Sequence, residues 1–348
     1  MAAEDNYADL LIDAAKLTGF AEGFLLALGS PADIAAEVAA HLVESDLCGV
    51  HSHGCVRLPQ YLGHARTGSF DPKASPTLTM AEGGGPLVDG RGGFGMPACR
   101  MATAEAASLA RSQGAGAVGV ANVGHTGRMG AFADQGAALG CLTFITGGGG
   151  RREWKQVAPY GGAKGALPTN PYSISVPAGD GGPVGFDFAT SAAAAGKVLA
   201  AKSAGRALPE GLIIDSAGRP STNPDDYNAG GAILPSAGAK GFGMALVAEL
   251  IGEAVFPKAM GGMNWLIVCI DISRFRAPAD YAAAAEETVA AVAATPPASG
   301  FDRVEIPGRR EAALASARRK AGVPVPPATL ALMKAAAAEI GASVADLP

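Results

Sequence analysis

The chain has 348 residues, of which 49% are apolar, and a formal net charge of −5. A chain of this length is expected to fold as two or more lobes, and its apolar content is sufficient for a large core. The strongest apolar run, WLIVCI at residues 265–270, is too short for a membrane-spanning helix, and no cluster of lysine and arginine indicates nucleic-acid binding.

The N-terminus and the cysteines indicate the compartment. The first ten residues, MAAEDNYADL, are acidic and lack the basic and apolar regions of a secretory signal, so none is expected. The five cysteines are scattered and form no CxxC pair, which argues against a zinc ribbon or a disulfide framework. A reduced, cytoplasmic setting is therefore expected, with neither nucleic acid nor membrane as a partner.

Three segments are predicted along the chain. Residues 1–75 have the pattern of helices and carry a histidine-rich stretch. Residues 76–260 alternate short, glycine-ended strands with helices and finish in an apolar helix over 239–256, which is expected to be buried. Residues 261–348 begin with the strand NWLIVCIDI and continue as alanine-rich helices. This order predicts a mixed α/β or α+β fold with a layered centre and helical ends.

The turn GRGGFG contains Gly90, Gly92 and Gly95 ahead of a predicted helix and so matches the fingerprint of dinucleotide-binding Rossmann folds. Two requirements of that fold are not met. The preceding strand has only about three apolar residues, and no acidic residue follows about 20 residues later to bind a ribose hydroxyl. A plain glycine-rich turn is therefore favoured.

The stretch CGVHSHGCVRLPQYL, residues 48–62, places His51 and His53 around Ser52, with Arg57 four residues after His53. The two histidines could bind a metal on a strand, but a zinc site needs a third ligand, and no nearby carboxylate pairs with them in a known pattern. They could also be a structural pair. Acid/base chemistry is favoured, because an imidazole beside a guanidinium one helical turn away suits a 2-oxo or 2-hydroxy acid.

Further candidate residues lie in three glycine-rich or turn segments. NVGHTGRMG places His125 and Arg128 between a strand and a helix, where backbone amides bind an anion or merely cap the helix. GFDFATS sets Asp187 between apolar neighbours at a strand end, so this carboxylate is either buried and paired or poised for chemistry. The turn at 169–171 and Lys240 at a helix start are uninformative by themselves.

Taken together, five segments resemble the malate/L-lactate dehydrogenase family of the second type. That family also holds ureidoglycolate, sulfolactate and diketogulonate enzymes and reductases of cyclic imino acids. The segments occur in the family's order over roughly residues 30–260; they are SDLCGVHSHGCVRLPQY, NVGHTGRMGAFA, VAPYGG with LPTNPYSISVP, FDFATSAAAAGKV and AKGFGMALVAELI. The resemblance implies NADH or NADPH bound without a Rossmann fold, on a largely antiparallel sheet flanked by helical segments. It also implies a homodimer with active sites near the interface.

The resemblance assigns roles to individual residues. His53 corresponds to the acid/base, Ser52 and Arg57 to its substrate-contacting partners, and Asp187 to a second catalytic or orienting carboxylate. The cofactor-facing positions are His125, Arg128, Thr169, Asn170, Pro171, Thr190, Ser191 and Lys240. No metal ligand is assigned.

The loop GGGGRREWKQ lies where members of the family vary widely. In this chain it contains Arg151, Arg152 and Trp154. Two arginines would favour a second anionic group on the substrate, or they are solvated surface charges.

The sequence therefore predicts an NAD(P)-dependent oxidoreductase acting on a small 2-oxo or 2-hydroxy carboxylate. Reduction of a cyclic imino acid such as piperideine- or pyrroline-2-carboxylate is the close alternative, since it needs the same carboxylate clamp. A zinc hydrolase using His51 and His53 and a non-enzymatic scaffold are the rivals from other classes. NADH and NADPH are not distinguished.

Overall fold

The structure is a computed structural model that describes residues 9–257, 259, 262–345 and 347–348. Most of the acidic N-terminus lies outside the described residues. So do residues 260 and 261, between which the second and third predicted segments meet. The helices are α1 (Ala14–Ala27), α2 (Ala32–Leu47), α3 (Leu58–Arg66), α4 (Gly95–Gln113), α5 (Gly130–Ala138), α6 (Ala195–Ser203), α7 (Pro224–Asn228), α8 (Ala239–Leu250), α9 (Pro278–Ala293), α10 (Arg309–Ala321) and α11 (Pro327–Glu339). The strands are β1 (Leu10–Ile12), β2 (Thr77–Met80), β3 (Pro86–Gly93), β4 (Ala115–Val123), β5 (Cys141–Gly148), β6 (Tyr172–Val176), β7 (Val184–Phe188), β8 (Ile213–Ile214), β9 (Pro220–Ser221), β10 (Ala232–Ile233), β11 (Asn264–Asp271) and β12 (Val323–Val325).

A seven-stranded sheet forms the centre, in the order β2-β3-β4-β11-β5-β6-β7. β3 and β4 are parallel, whereas the other neighbouring strands of this sheet run antiparallel. Helices α4 and α5 pack against it. Val118, Val120 and Ile267 on the central strands are fully buried, as expected where small and β-branched residues fill a covered sheet. The predicted mixed α/β fold is confirmed.

The two ends of the chain pack together. β1 pairs antiparallel with β12, α2 contacts α10, and α3 contacts α11. One hydrophobic cluster extends from Ile12 to Leu347 and includes side chains of the sheet. A second, smaller cluster under β8, β9 and β10 includes Val157, Val198 and Ile213. The last predicted segment also supplies the sheet with β11, which lies between β4 and β5.

β3 runs into the GRGGFG motif, so only residues 86–89 of the strand precede it, in line with the short strand predicted there. β3 has eight residues and forms a parallel βαβ unit with α4 and β4. The start of α4 is nevertheless covered, because the Gly95 N–H donates to the His125 carbonyl (3.0 Å) and a Cβ on Gly95 would lie 2.3 Å from Thr126 Cγ2. A phosphate therefore has no access to this helix start.

The strand directions bring the motif-bearing loops to one edge of the sheet. β3, β4, β5 and β7 end there, and β6 and β11 begin there. The loops at this edge include residues 124–128, 148–154, 169–171 and 189–191. Four segments that are far apart in sequence thus lie along one edge of the sheet.

Helix α8 is not buried as predicted. Gly241, Ala245 and Ala248 face the protein, whereas Val247 and Leu250 are 53% and 55% exposed. A helix that covers one face of a sheet buries only one stripe of side chains. In the part of the chain that the structure describes, no helix is long and apolar enough to cross a membrane.

Candidate active site

The histidine-rich stretch forms two consecutive 3₁₀ turns, His51–His53 and Cys55–Arg57, which lead into α3. α2 ends just before them at Leu47, and Gly49 has φ +80°, a conformation that favours glycine and reverses the chain. Pro59 in the first turn of α3 fits there without losing a helical hydrogen bond. We call residues 51–57 the catalytic turn, after the role that the sequence predicts for them.

His53 lies against His125, which the end of β4 supplies. The two rings stack with centroids 5.4 Å apart, and His53 Nδ1 lies 2.9 Å from the Ser52 hydroxyl. Burial, followed by the charges of Arg57 and Arg128, lowers the pKa of His53 to about 4. His53 is therefore a neutral imidazole at neutral pH, the state in which a histidine accepts a proton.

His125 is held from the other side by α3. Its Nδ1 lies 2.8 Å from the Tyr61 hydroxyl, while its Nε2 is buried with no hydrogen-bond partner among the described residues. Burial places the pKa of His125 well below its usual range. His125 is thus a neutral ring that packs against His53, and in the part of the chain that the structure describes its Nε2 lacks the partner that a buried polar atom usually has.

Arg57 is held beside the same turn. Its Nε donates to the Ser52 carbonyl (2.6 Å) and its Nη1 to Gln60 Oε1 (2.6 Å). Two of its five N–H groups are used in this way, so the remaining ones can bind a carboxylate. The predicted neighbourhood of Ser52, His53 and Arg57 is what the structure shows.

His51 differs from His53 in its partners. Its Nδ1 lies 2.9 Å from Asp46 Oδ1, and its Nε2 lies 3.2 Å from Arg318 Nη1. Sequence reasoning missed Asp46, although it lies only five residues before His51. Among the described residues, no three histidine, cysteine or acidic side chains are grouped as metal ligands would be.

The loop after β4 is fixed by a buried histidine. His41 of α2 is stacked on Phe132, and its Nε2 accepts from the Arg128 N–H (3.0 Å). Burial, with the charge of Arg128, lowers the pKa of His41 to about 3. Gly127 has φ +72°, and a Cβ there would lie 2.1 Å from His41 Nε2, so only glycine fits.

Asp187 lies with Arg128 rather than with His53. Its Oδ2 accepts from the Gly130 N–H (2.8 Å) at the start of α5, where a carboxylate is favourable. The protein atoms crowded around it desolvate the carboxylate and raise its pKa. Among the described residues, the His53 ring is hydrogen-bonded to Ser52 and not to Asp187.

A cleft of about 510 Å³ opens between β7, α5 and α10. Its lining includes Arg128, Asp187, Gly308, Arg309 and Arg319. Nε of Arg128 and Nε of Arg309 are buried without a hydrogen-bond partner among the described residues. Sequence reasoning also missed Arg309; the signal was a glycine followed by an arginine at a helix start.

Two of the predicted cofactor-facing side chains have structural roles instead. Asn170 and Thr190 are both 0% exposed. Asn170 Nδ2 donates to Glu249 Oε2 (2.8 Å), and the Thr190 hydroxyl donates to the Thr169 carbonyl (2.9 Å). These hydrogen bonds hold the strand ends together, and both side chains are enclosed by protein atoms.

Other predicted cofactor residues lie apart from the 510 Å³ cleft. Ser191 is bridged to Pro235, and Lys240 is exposed in the first turn of α8. A second cavity of about 560 Å³ is bounded by residues 234–238, between these two positions. Ser191 and Lys240 line neither this cavity nor the 510 Å³ cleft that Arg128 lines.

Arg151 and Arg152 both pair with one carboxylate, that of Glu253. Nη2 of Arg152 lies 2.9 Å from Glu253 Oε1, and both guanidinium groups are about half exposed. This arrangement is that of surface charges, although Trp154 of the same loop packs on the core.

The sequence profile of the malate/L-lactate dehydrogenase family matches residues 12–334. An L-lactate dehydrogenase of Cupriavidus necator is 36% identical over 307 residues, which cover 84% of this chain and 87% of that protein. A Δ1-pyrroline-2-carboxylate/Δ1-piperideine-2-carboxylate reductase of Pseudomonas putida is 35% identical over 212 residues, 60% of each chain. A (2R)-3-sulfolactate dehydrogenase (NADP+) of Chromohalobacter salexigens is 35% identical over 227 residues, 65% of this chain and 66% of that one.

Solved structures show the same fold. The sulfolactate dehydrogenase from Methanocaldococcus jannaschii superposes with a TM-score of 0.86 at 26% identity, covering 97% of this chain and 99% of that chain.

Proposed function

Because the chain belongs to the malate/L-lactate dehydrogenase family, we propose that it transfers a hydride between a nicotinamide cofactor and C2 of a small 2-oxo or 2-hydroxy carboxylate. The observation that carries the proposal is the neutral His53 imidazole, stacked on His125 beside the Arg57 guanidinium. A base and a carboxylate clamp on one turn are the groups that this reaction needs.

His53 moves the proton. Its Nδ1 faces the Ser52 hydroxyl, which leaves Nε2 for the substrate. In oxidation, Nε2 accepts the proton of the substrate hydroxyl; in reduction, the protonated ring returns it to the carbonyl oxygen. His125 fixes the plane of the His53 ring by stacking.

Arg57 binds the substrate carboxylate. The carbonyl of Ser52 and the side chain of Gln60 fix its guanidinium, so little side-chain freedom is lost when a carboxylate binds. Fixing both the carboxylate and the hydroxyl orients C2, which supplies the proximity contribution to the rate.

The 510 Å³ cleft is our candidate for the cofactor site. The unpartnered Nε atoms of Arg128 and Arg309 are suited to the oxygens of a diphosphate. α10 begins at Arg309 after Gly308 (φ +84°) with no side chain capping its first amides, which also favours an anion. When bound, the nicotinamide supplies or accepts the hydride.

The proposed cofactor set comprises Arg128 and Arg309, which line the cleft, and His125, which does not. Thr169, Pro171, Ser191 and Lys240 stay in it as weaker candidates. Asp187 is proposed to hold the start of α5 and the neighbouring Arg128 at the cleft. The covered start of α4 supports a nicotinamide-binding domain of non-Rossmann type on a largely antiparallel sheet.

A cyclic imino acid is the second candidate substrate, because the relative from Pseudomonas putida is named for such a reaction. The Arg57 clamp and the cleft suit both substrate types, since each carries a carboxylate next to the reacting carbon.

We further propose a cytoplasmic homodimer with the active site near its interface. The exposed apolar stripe of α8, including Val247 and Leu250, supports a second copy as its partner. All five cysteines are free and buried, which is consistent with a reducing compartment.

The proposal is tested by measuring the change in nicotinamide absorbance. NADH and NADPH are each tried with a panel of 2-oxo acids and cyclic imines. We expect turnover with at least one pair of cofactor and substrate, and this turnover should survive exhaustive chelation. Correctly folded protein that shows no turnover in the panel contradicts the proposal.

Arg309→Ala should weaken cofactor binding about tenfold or more, since a charged hydrogen bond is lost. Arg310→Ala is the matched control, because Arg310 pairs with Glu311 at the surface.

A further inference from the structure

Asp46 lies beneath the catalytic turn. It is only 5% exposed, near the end of α2. Its Oδ1 is 2.9 Å from His51 Nδ1, and its Oδ2 accepts from the Cys55 N–H (2.8 Å). One buried carboxylate therefore holds the turn at two points, on either side of Ser52 and His53.

The residue between those points is a glycine for reasons of space. Gly54 has an ordinary φ of −92°, so its backbone conformation does not require glycine. A Cβ at Gly54, however, would lie 2.1 Å from Asp46 Oδ1. The backbone of the turn thus rests directly on the carboxylate, and this close approach leaves no room for a side chain.

Arg318 of α10 completes the arrangement. Its Nη1 donates to the Asp46 carbonyl (2.6 Å) and lies 3.2 Å from His51 Nε2. A His51 ring with its proton on Nδ1 donates to Asp46 and accepts from Arg318, which satisfies both ring nitrogens. Neither nitrogen is then free for a substrate.

We propose that Asp46 is a positioning residue for the reaction, acting with His51 and Arg318 to fix the catalytic turn so that His53 meets the substrate. This inference rests on the proposed function. The turn has no side-chain cap of its own, so Asp46 is its principal anchor. Displacement of a catalytic group by about 1 Å is enough to slow a reaction on the order of a hundredfold.

Asp46→Asn tests the anchor, because it replaces one carboxylate oxygen while the size of the side chain stays nearly constant. His51 and the Cys55 N–H reach different oxygens of Asp46, so in the variant one of these two donors faces an NH₂ group in place of an acceptor. We expect the single-turnover rate of hydride transfer per cofactor-binding site to fall about 10- to 100-fold, with the Kd for NADH changed less than about twofold. Asp33→Asn, in the exposed first turn of the same helix, is the control and should keep the wild-type rate.

A purely structural role gives a different result. It would lower the number of cofactor-binding sites and the melting temperature, while the rate per site stayed at the wild-type value. That outcome, or a wild-type rate throughout, overturns the inference.

Two variants of His51 provide a second test. The glutamine side chain can donate to Asp46 and accept from Arg318, so His51→Gln should retain most of the single-turnover rate that His51→Ala loses. Equal losses in the two variants contradict the network.

Histidine ring resonances separate failure of this inference from failure of the proposed function. They can be recorded by NMR without substrate, so they remain informative even if wild-type protein transfers no hydride. Asp46→Asn should shift the ring signals of His53 and His51. Unchanged His53 signals would show that Asp46 does not position that ring.

Discussion

The pH dependence of oxidation should report His53 directly. Burial is the largest cause of its lowered pKa, and the Arg57 and Arg128 guanidinium groups add to it by repelling the imidazolium. The pKa is about 4, compared with 6.5 for an unperturbed histidine. Since oxidation requires a neutral base, kcat/KM should fall only when the pH approaches that value.

The size of the effect is large enough for a clear measurement. At pH 5, a pKa of about 4 leaves about 90% of His53 neutral, whereas a pKa of 6.5 would leave about 3%. We therefore expect kcat/KM for the 2-hydroxy acid at pH 5 to stay near its neutral-pH plateau. Initial rates of NAD(P)H formation between pH 5 and 8 test this, with tryptophan fluorescence as a check that the protein stays folded.

Substitution of Arg57 should move the pH at which activity is lost. Arg57→Gln removes one repelling charge but leaves the burial, so the pKa of His53 should rise while staying below 6.5. The plateau of kcat/KM should also fall, since the carboxylate clamp is lost. His64→Gln, an exposed change on α3, should leave the profile in place. A wild-type profile that falls at pH 6.5, or one that Arg57→Gln does not move, refutes the assignment of the base.

Two stability predictions concern the supports of the site. His41 keeps a pKa of about 3 in the folded state but about 6.5 when unfolded, so the stability it confers is present above pH 6.5 and is lost as the pH falls towards 3. Urea unfolding should show that wild type loses about 2 kcal/mol more between pH 6.5 and 5 than His41→Gln; parallel losses would contradict this. Glu249 accepts from the Gly149 N–H, the Arg151 N–H and Asn170, so Glu249→Gln should lower the free energy of unfolding by about 1–3 kcal/mol. Glu253→Gln, which breaks only surface pairs, should cost less than about 1 kcal/mol, and equal costs would count against a special role for Glu249.

Features that depend on neighbouring residues could be predicted from the sequence. Glycine-ended strands and alanine-rich helices have local signatures, and these indicated the mixed α/β class. The four-residue spacing indicated that His53 and Arg57 lie near each other, and the structure places them in two consecutive 3₁₀ turns separated by the extended Gly54. Sequence spacing could not show that Asp46 reaches back under that turn.

Features that join distant segments could only be seen in the tertiary structure. β11 enters the sheet between β4 and β5. α10 brings Arg309 to the cleft beside Arg128, and it brings Arg318 to His51, 267 residues away in the chain. Burial, too, depends on the tertiary structure. It lowers the pKa of His53, and it encloses the hydrogen-bonded side chains of Asn170 and Thr190. The sequence by itself determined which residue types were available and how the local chain turns. Long-range packing determines which of these residues meet and how polar their surroundings are. Local spacing in the sequence contains no information about that packing.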